Sequence, residues 1–178
     1  MIKYPMGQEP DFWEPNPGVP PHRFALGNVA NVAVGTQPLV VIGMNPSHAK
    51  ESEADRTVKR VIEASEHHGY TGWVMLNLYP ERSPKPSKLS SFDPALSALN
   101  CAAIEQVLVH HGATEVLGAW GNMPHATLKR AKTTVQAMLD RSGVRVFTWD
   151  LLTNEGNPRH PSPPGPRLPM LGPKVYLS

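Results

Sequence analysis

The sequence predicts an α/β protein with three layers, in which helices cover both faces of a central, mainly parallel sheet of four strands. Two observations lead to this prediction. Short apolar runs typical of buried strands alternate with longer amphipathic stretches typical of helices. Strands that alternate with helices favour parallel pairing and right-handed crossover connections.

Four strands and three helices follow from this pattern. The strands are predicted at 39–43, 73–77, 115–119 and 144–148, and the helices at 55–68, 94–111 and 123–141. Asp55 can cap the first helix, and Gly112 ends the second. The second helix is expected to turn five apolar side chains inward: Leu96, Leu99, Ile104, Val107 and Leu108.

The 178 residues suit one α/β domain with a sizeable core. Residues 1–21 are rich in proline and are predicted to form an extended arm, and residues 22–178 are predicted to form the single domain. Trp13 is expected to anchor the arm on the domain surface. A partner-binding role is the alternative for this arm.

Charge and cysteine content exclude few classes of function. The net charge of +2 permits a polyanionic partner without requiring one. Cys101 is the single cysteine, which excludes an intrachain disulfide and an all-cysteine metal or iron–sulfur site, and the eight histidines lack metal-ligand spacing. We therefore expect no metal and no cofactor. Without an apolar run long enough to span a membrane, or a signal core, the chain is predicted to be cytoplasmic.

Ligands of open α/β sheets bind beyond the carboxyl ends of the strands. Four loops of the predicted sheet lie at that edge: 43–49, 77–82, 120–123 and the stretch from Thr148 to His160. The candidate site residues are therefore brought together by topology and not by local spacing.

Two of these loops each place a polar side chain beside a rigid proline. Asn45 precedes Pro46, and His160 precedes Pro161. The Asn45 amide can position a water or bind a polar substrate edge, or it can simply satisfy a turn. His160 can donate to a developing negative charge or move protons near neutral pH, or it can be a solvated loop residue. Both are candidate catalytic residues.

Asn77 and Trp120 are candidate ligands of a nucleobase. Asn77 ends an apolar strand, where its amide offers two donors and an acceptor, and a strand-end cap is the alternative. Trp120 lies between glycines and can stack on a ligand or pack in the core.

Four residues are candidate phosphate contacts: Ser47, Ser162, Arg159 and Arg82. Ser47 can equally cap the segment that follows it. Arg82 begins a basic, proline-rich stretch that suits either a loop following a nucleic-acid backbone or a solvated linker. Acidic residues at 51, 53 and 55 can activate a water or favour the start of a helix.

Four segments, taken in order, resemble motifs of the uracil-DNA glycosylase superfamily. Gly43-Met44-Asn45-Pro46 resembles the first motif, and residues 74–77 resemble the strand whose terminal Asn reads the base. Residues 116–121 resemble the third strand with its glycine turn, and residues 160–163 the second motif. The sequence is also similar to the bacterial and phage family called domain of unknown function 1643. The resemblance covers roughly residues 38–164.

The resemblance implies a glycosylase fold and hydrolysis of the N-glycosidic bond of a damaged or modified base in DNA. Asn45 would position the water, Asn77 would read the base, and His160 would stabilise charge on the departing base. Ser47 and Ser162 would hold phosphates. The superfamily's wedge leucine is replaced here by Pro164 and Gly165.

The missing wedge favours single-stranded DNA, an already disrupted site or a free nucleotide. Two alternatives accompany the glycosylase hypothesis. One is a nucleic-acid or nucleotide binding module without catalysis, and the other is a hydrolase of a free nucleoside or nucleotide.

Overall fold

A seven-stranded sheet forms the centre of the protein in a computed structural model that describes residues 2–14, 21–50, 52–149, 151–163, 165–166 and 168–177. Its strands are β1 (Phe12–Glu14), β2 (Ala25–Asn28), β3 (Leu39–Gly43), β4 (Trp73–Asn77), β5 (Glu115–Gly118), β6 (Arg145–Thr148) and β7 (Val175–Tyr176). The helices are α1 (Arg56–His67), α2 (Pro94–His111) and α3 (Ala126–Arg141), with a short 3₁₀ turn at Pro86–Lys88.

The order of the strands across the sheet is β1-β2-β4-β3-β5-β6-β7. The four central strands, β4, β3, β5 and β6, are parallel and correspond to the four predicted strands. The predicted number of strands was wrong, because β2 pairs with β4 and β7 pairs with β6 in the antiparallel sense, and β1 adds to β2. These three strands, which flank the parallel ones, are only two to four residues long, too short to produce a readable alternation of side chains.

The helices lie on both faces of the sheet. On β3, Val40 and Ile42 belong to a core cluster with α2 and α3, whereas Leu39 and Val41 belong to a second cluster with α1. This division follows from the pleat, since successive strand side chains point to opposite faces. Both faces of the central parallel strands are therefore covered, and their carboxyl ends are left for a site.

The bounds of α1 and α2 confirm the prediction to within one residue, with Asp55 as the N-cap of α1. The third helix begins at Ala126 and not at 123, because the side chain of His125 caps it by accepting the Thr127 N–H. The inward orientation of Leu99 was wrong: Leu99 is 61% exposed. The buried position beside it is taken by a polar residue, Asn100.

The N-terminal residues 2–14 contact the domain. Tyr4 is buried in the α1-side cluster, Ile2 forms a bridge to Ala54, and Phe12 and Trp13 are half-buried. Residues 15–20 of the predicted arm lie outside the described residues, so the boundary at residue 21 stays a prediction. In the part of the chain that the structure describes, no helix has the length and apolar character needed to cross a membrane.

Candidate functional site

A cleft of about 1190 Å³ opens at the carboxyl ends of the central strands. It is lined by six of the eight predicted site residues: Asn45, Ser47, Asn77, Arg159, His160 and Ser162. Trp120 and Arg82 do not line it. The topology thus brings together residues that lie more than 100 positions apart in the chain, as the strand-end argument predicts.

The side-chain amide of Asn45 is fixed by the loop that follows β4. Its Nδ2 donates to the carbonyl oxygens of Pro46 and Ser83, at 3.0 and 2.9 Å, and to that of Glu81 at 3.4 Å. Carbonyl oxygens only accept hydrogen bonds, so these contacts identify the nitrogen end of the amide. Oδ1 of Asn45 remains as an acceptor that can orient a water molecule. The same contacts also stabilise the loop, as the turn alternative requires.

The imidazole of His160 is held in one tautomer by a residue two positions later. The backbone N–H of Ser162 donates to Nδ1 of His160 at 3.1 Å. Because an N–H group only donates, the proton of the neutral ring lies on Nε2. Burial lowers the pKa of His160 below its ordinary value, and the nearby carboxylate of Asp55 acts in the opposite direction. This environment favours a neutral ring with Nε2–H as its donor.

Gly118, the last residue of β5, and Gly121, three positions later, let the segment that carries His160 approach the sheet. A Cβ atom at Gly118 would lie 2.5 Å from Cγ of Pro158, and one at Gly121 would lie 3.2 Å from Cβ of His160. Gly121 also has a φ of +66°, a region that glycine adopts without strain, and its N–H donates to the Pro158 carbonyl at 2.8 Å. These glycines therefore set the position of His160 beside the end of β5.

The amide of Asn77 is fully buried at the end of β4, and neither Nδ2 nor Oδ1 has a partner among the described residues. Gly43, its partner in the parallel register, leaves room for it, since a Cβ atom there would lie 3.2 Å from Oδ1 of Asn77. Buried amides without partners cost free energy, so most are paired in native proteins. An unpaired amide that lines a cleft is a candidate for contact with a ligand.

Asn100 on α2 supports Asn77 from the buried side. Its Nδ2 donates to the carbonyl oxygens of Asn77 and Leu78 at 2.9 and 3.1 Å. Asn100 is not among the predicted site residues. The signal that could have found it is an amide on the inward face of α2, where Ile104, Val107 and Leu108 are apolar.

The two predicted residues outside the cleft have other contacts. Trp120 is fully buried in the core cluster shared with α2 and α3, which is the packing alternative for this residue. Arg82 is half-buried, and its guanidinium donates to the carbonyl oxygens of Ser47 and Ala49 at 3.3 and 3.1 Å. A direct contact of Trp120 or Arg82 with a ligand stays a prediction.

Hydroxyl groups and positive charges line the outer part of the cleft. Ser47 and Ser162 are half-buried, and Arg159 and Arg56 are exposed. Oγ of Ser47 lies 3.0 Å from Nδ1 of the adjacent His48. Guanidinium and hydroxyl groups of this kind suit phosphate oxygens.

Two members of the predicted acidic cluster, Glu53 and Asp55, line the cleft, and Glu51 lies outside the described residues. The oxygens of Asp55 accept the N–H groups of Val58 at 2.9 Å and Ala49 at 3.3 Å. The helix-start alternative accounts for these contacts. Activation of a water by Asp55 stays a prediction.

A buried arginine that is not among the predicted site residues also lines the cleft. Arg23 precedes β2, is 5% exposed, and donates through one terminal nitrogen to the Ala49 carbonyl at 2.8 Å. Burial lowers the pKa of Arg23 to about 10, and the positive charge of Arg82 acts in the same direction. Arg23 belongs to none of the sequence motifs. Because arginines are mostly exposed, a buried one is not expected from the sequence.

Within the residue ranges given above, no group of three or more His, Cys, Asp or Glu side chains is placed to hold a metal ion. A family model described as "Protein of unknown function (DUF1643)" matches residues 23–162, which include β2 to β6 and all three helices. The match confirms the resemblance to that family. No curated protein and no solved structure matches the chain.

Proposed function

The chain belongs to the DUF1643 family of proteins of unknown function, and we propose that it is a DNA glycosylase-like hydrolase that cleaves the N-glycosidic bond of a damaged or modified base. The unpaired, fully buried amide of Asn77 in the cleft carries the proposal. Asn45 and His160, which line the same cleft, support it. The motif resemblance to the uracil-DNA glycosylase superfamily supplies the roles of these residues, and we propose that superfamily's three-layer fold with them.

In this proposal, Asn77 reads the base. A nucleobase edge with a carbonyl oxygen beside a ring N–H offers one acceptor and one donor, which complement the Nδ2 and Oδ1 atoms of the amide. Each unpaired buried polar group costs about 1–3 kcal/mol. A base that pairs with the Asn77 amide recovers this free energy, so the site selects ligands with the matching edge.

Asn45 and His160 act on the two ends of the bond that breaks. A water oriented by Oδ1 of Asn45 bonds through its oxygen to C1′ of the sugar, and the bond from C1′ to the base nitrogen breaks. The base leaves with the electron pair, and the Nε2–H of His160 donates to the oxygen on which negative charge develops. The proton lost by the water ends on the departed base, so the products are a free base and an abasic sugar.

The form of the substrate is also part of the proposal. Flipping a base out of a duplex costs a few kcal/mol, and least when the base is mispaired or single-stranded. Without the wedge leucine, the chain favours single-stranded DNA or an already disrupted site. The same three residues could serve a hydrolase of a free nucleoside or nucleotide.

Two contacts of Asp55 favour a second candidate function, a nucleotide-binding module without catalysis. Both carboxylate oxygens of Asp55, a candidate general base of the cleft, already accept backbone N–H groups. A binding module would keep the recognition of a nucleobase by Asn77 and would need no general base to activate a water.

The decisive experiment is a glycosylase assay over a panel of modified-base oligonucleotides, single- and double-stranded, with alkaline cleavage to reveal abasic sites. We expect abasic product from at least one base. Asn45→Ala and His160→Ala should each lower turnover by about two orders of magnitude and change binding far less. Asn77→Ala should relax the choice of base. His110→Ala, an exposed histidine at the end of α2, is the matched control.

A panel without any abasic product, from a protein that still binds one of the oligonucleotides tightly, would reject the hydrolase and leave the binding module. In that case, His160→Ala should alter affinity alone.

A further inference from the structure

Arg23 is the most enclosed basic side chain among the residues named above as lining the cleft. It is 5% exposed, whereas Arg56 and Arg159 are exposed. Its Nε is buried and has no partner, and no carboxylate of the described residues forms an ion pair with it. A buried charge is normally paired, because its removal from water costs several kcal/mol.

A second guanidinium increases the positive charge at this point. Arg23 and Arg82 donate to the same acceptor, the carbonyl oxygen of Ala49, at 2.8 and 3.1 Å. One carbonyl oxygen cannot neutralise two positive charges. The carboxylate that acts electrostatically on Arg23 is that of Asp55, and both of its oxygens accept backbone N–H groups.

We infer that Arg23, with Arg82 behind it, forms an anion subsite in the cleft that binds a phosphate group of the ligand. A guanidinium with a free Nε–H and free terminal N–H groups matches two phosphate oxygens in a planar fork. The phosphate would supply the negative charge and the acceptors that the described residues do not provide. Neither Arg23 nor its buried position was among the predicted phosphate contacts.

The subsite adds a phosphate contact to the proposed function. It rests on that function only for the identity of the remaining part of the ligand, a nucleobase and its sugar. Arg23, Asp55 and His160 line the same cleft, so the subsite and the proposed catalytic group share this site. A nucleotide base at Asn77 would have its phosphate within the same cleft. The phosphate can be a phosphodiester of single-stranded DNA or the terminal phosphate of a free nucleotide, since both present the same oxygens.

Titration of inorganic phosphate by calorimetry tests the subsite without any assay of turnover. We expect Arg23→Gln to raise the Kd for phosphate about tenfold or more, since a hydrogen bond to a charged group is lost. Arg23→Lys should fall between the wild type and Arg23→Gln, because it keeps the charge and loses the fork. Arg141→Gln, which removes an exposed arginine at the end of α3, should leave the Kd unchanged.

The wild-type protein provides a second measurement that does not depend on the variants folding. In an NMR titration with inorganic phosphate, the Nε–H resonance of Arg23 should shift and saturate with the same Kd as the calorimetry. A resonance that stays in place, or an Arg23→Gln protein that folds and binds phosphate as tightly as the wild type, overturns the subsite.

Thymidine 5′-monophosphate and an oligothymidylate without terminal phosphates separate the two sources. Arg23-dependent binding of the mononucleotide alone identifies a terminal phosphate, and Arg23-dependent binding of the oligonucleotide identifies a phosphodiester. Phosphate binding through Arg23 without abasic product would reject the proposed hydrolase and keep the subsite. If abasic product forms and Arg23→Gln leaves phosphate binding unchanged, the subsite is rejected and the proposed hydrolase is kept.

Discussion

Nδ2 of Asn100 lies 2.9 Å from the backbone carbonyl oxygen of Asn77, so a buried side chain of α2 holds the end of β4 that carries the proposed base-reading amide. The strand end is therefore positioned by a helix from one side while its side chain faces the cleft. Asn100 acts through Asn77 and is a positioning residue in the proposed reaction.

Asn100→Ala should lower the free energy of unfolding by about 1–3 kcal/mol, because two buried carbonyl oxygens, those of Asn77 and Leu78, lose this donor. Urea unfolding measures the effect. Gln106→Ala, on the exposed side of the same helix, should change the value by no more than about 0.5 kcal/mol. Equal losses in the two variants would mean that Asn100 does not anchor the strand end.

The contribution of His160 to stability should depend on pH. Burial lowers its pKa in the folded state below the ordinary value of 6.5, so under mildly acidic conditions the unfolded chain binds a proton that the folded chain does not. Stability then rises with pH across that interval. The stability of the wild type relative to His160→Asn should be constant above about pH 6.5 and should fall as the pH decreases below it.

Urea unfolding of the wild type and His160→Asn between pH 7.5 and 5, in steps of about half a pH unit, measures this difference. His111, whose pKa burial also lowers, is present in both proteins, and its effect cancels. A wild-type stability that stayed constant or rose relative to His160→Asn as the pH fell would contradict a lowered pKa of His160.

Gly118→Ala should displace the segment that carries His160. The added Cβ would meet Cγ of Pro158 at 2.5 Å and Cγ1 of Val146 at 2.9 Å, and the proline ring is too rigid to yield alone. Overpacking of this kind costs about 1–3 kcal/mol. Greater exposure of the imidazole should also raise the pKa of His160 toward its ordinary value, as NMR titration of its ring protons would report. A stable variant with an unchanged titration curve would show that Gly118 does not set the position of His160.

Binding of single-stranded DNA should be salt-dependent, losing roughly one to two decades of affinity between low and moderate salt. Arg56 and Arg159 are the exposed arginines of the cleft, whereas Arg60 is paired with Glu63 and Arg82 with backbone carbonyls. The double variant Arg56→Gln and Arg159→Gln should reduce the slope of log K against log salt by about 1.4.

Lys59→Gln, which removes an exposed charge of α1 outside the cleft, is the control for this slope. Fluorescence anisotropy with a labelled oligonucleotide measures it. An affinity that is the same at both salt concentrations would argue for a small-molecule ligand.

Much of the fold could be predicted because local patterns decide it. The apolar runs that end at Gly43 and Asn77 gave β3 and β4 with their observed bounds, and Gly112 marked the end of α2. The three antiparallel strands that flank the parallel ones were missed for a physical reason. Ala25–Asn28 contains Gly and Asn, which are depleted in strands, and it becomes a strand through its pairing with β4 and β1.

The residues of the candidate site likewise fall into those with a local signal in the sequence and those without one. Asn45, Asn77 and His160 were found because each lies at a strand end or beside a proline, and both features are visible locally. Arg23 and Asn100 were missed because their partners lie 26 and 23 positions away in the chain. Tertiary packing alone assigns such residues a role.

Segments far apart in the chain line the cleft together, since Ile2 belongs to the N-terminal segment and Pro163 to the loop that follows β6. Contacts between such distant segments form slowly, because the chain must pay the entropy of closing long loops before they stabilise it. We therefore expect the central strands to fold first and the cleft to appear only with the last contacts made. A protein trimmed in its N-terminal segment, or nicked in the loop that carries Pro163, would keep its helices and its circular dichroism spectrum while losing lining residues of the cleft.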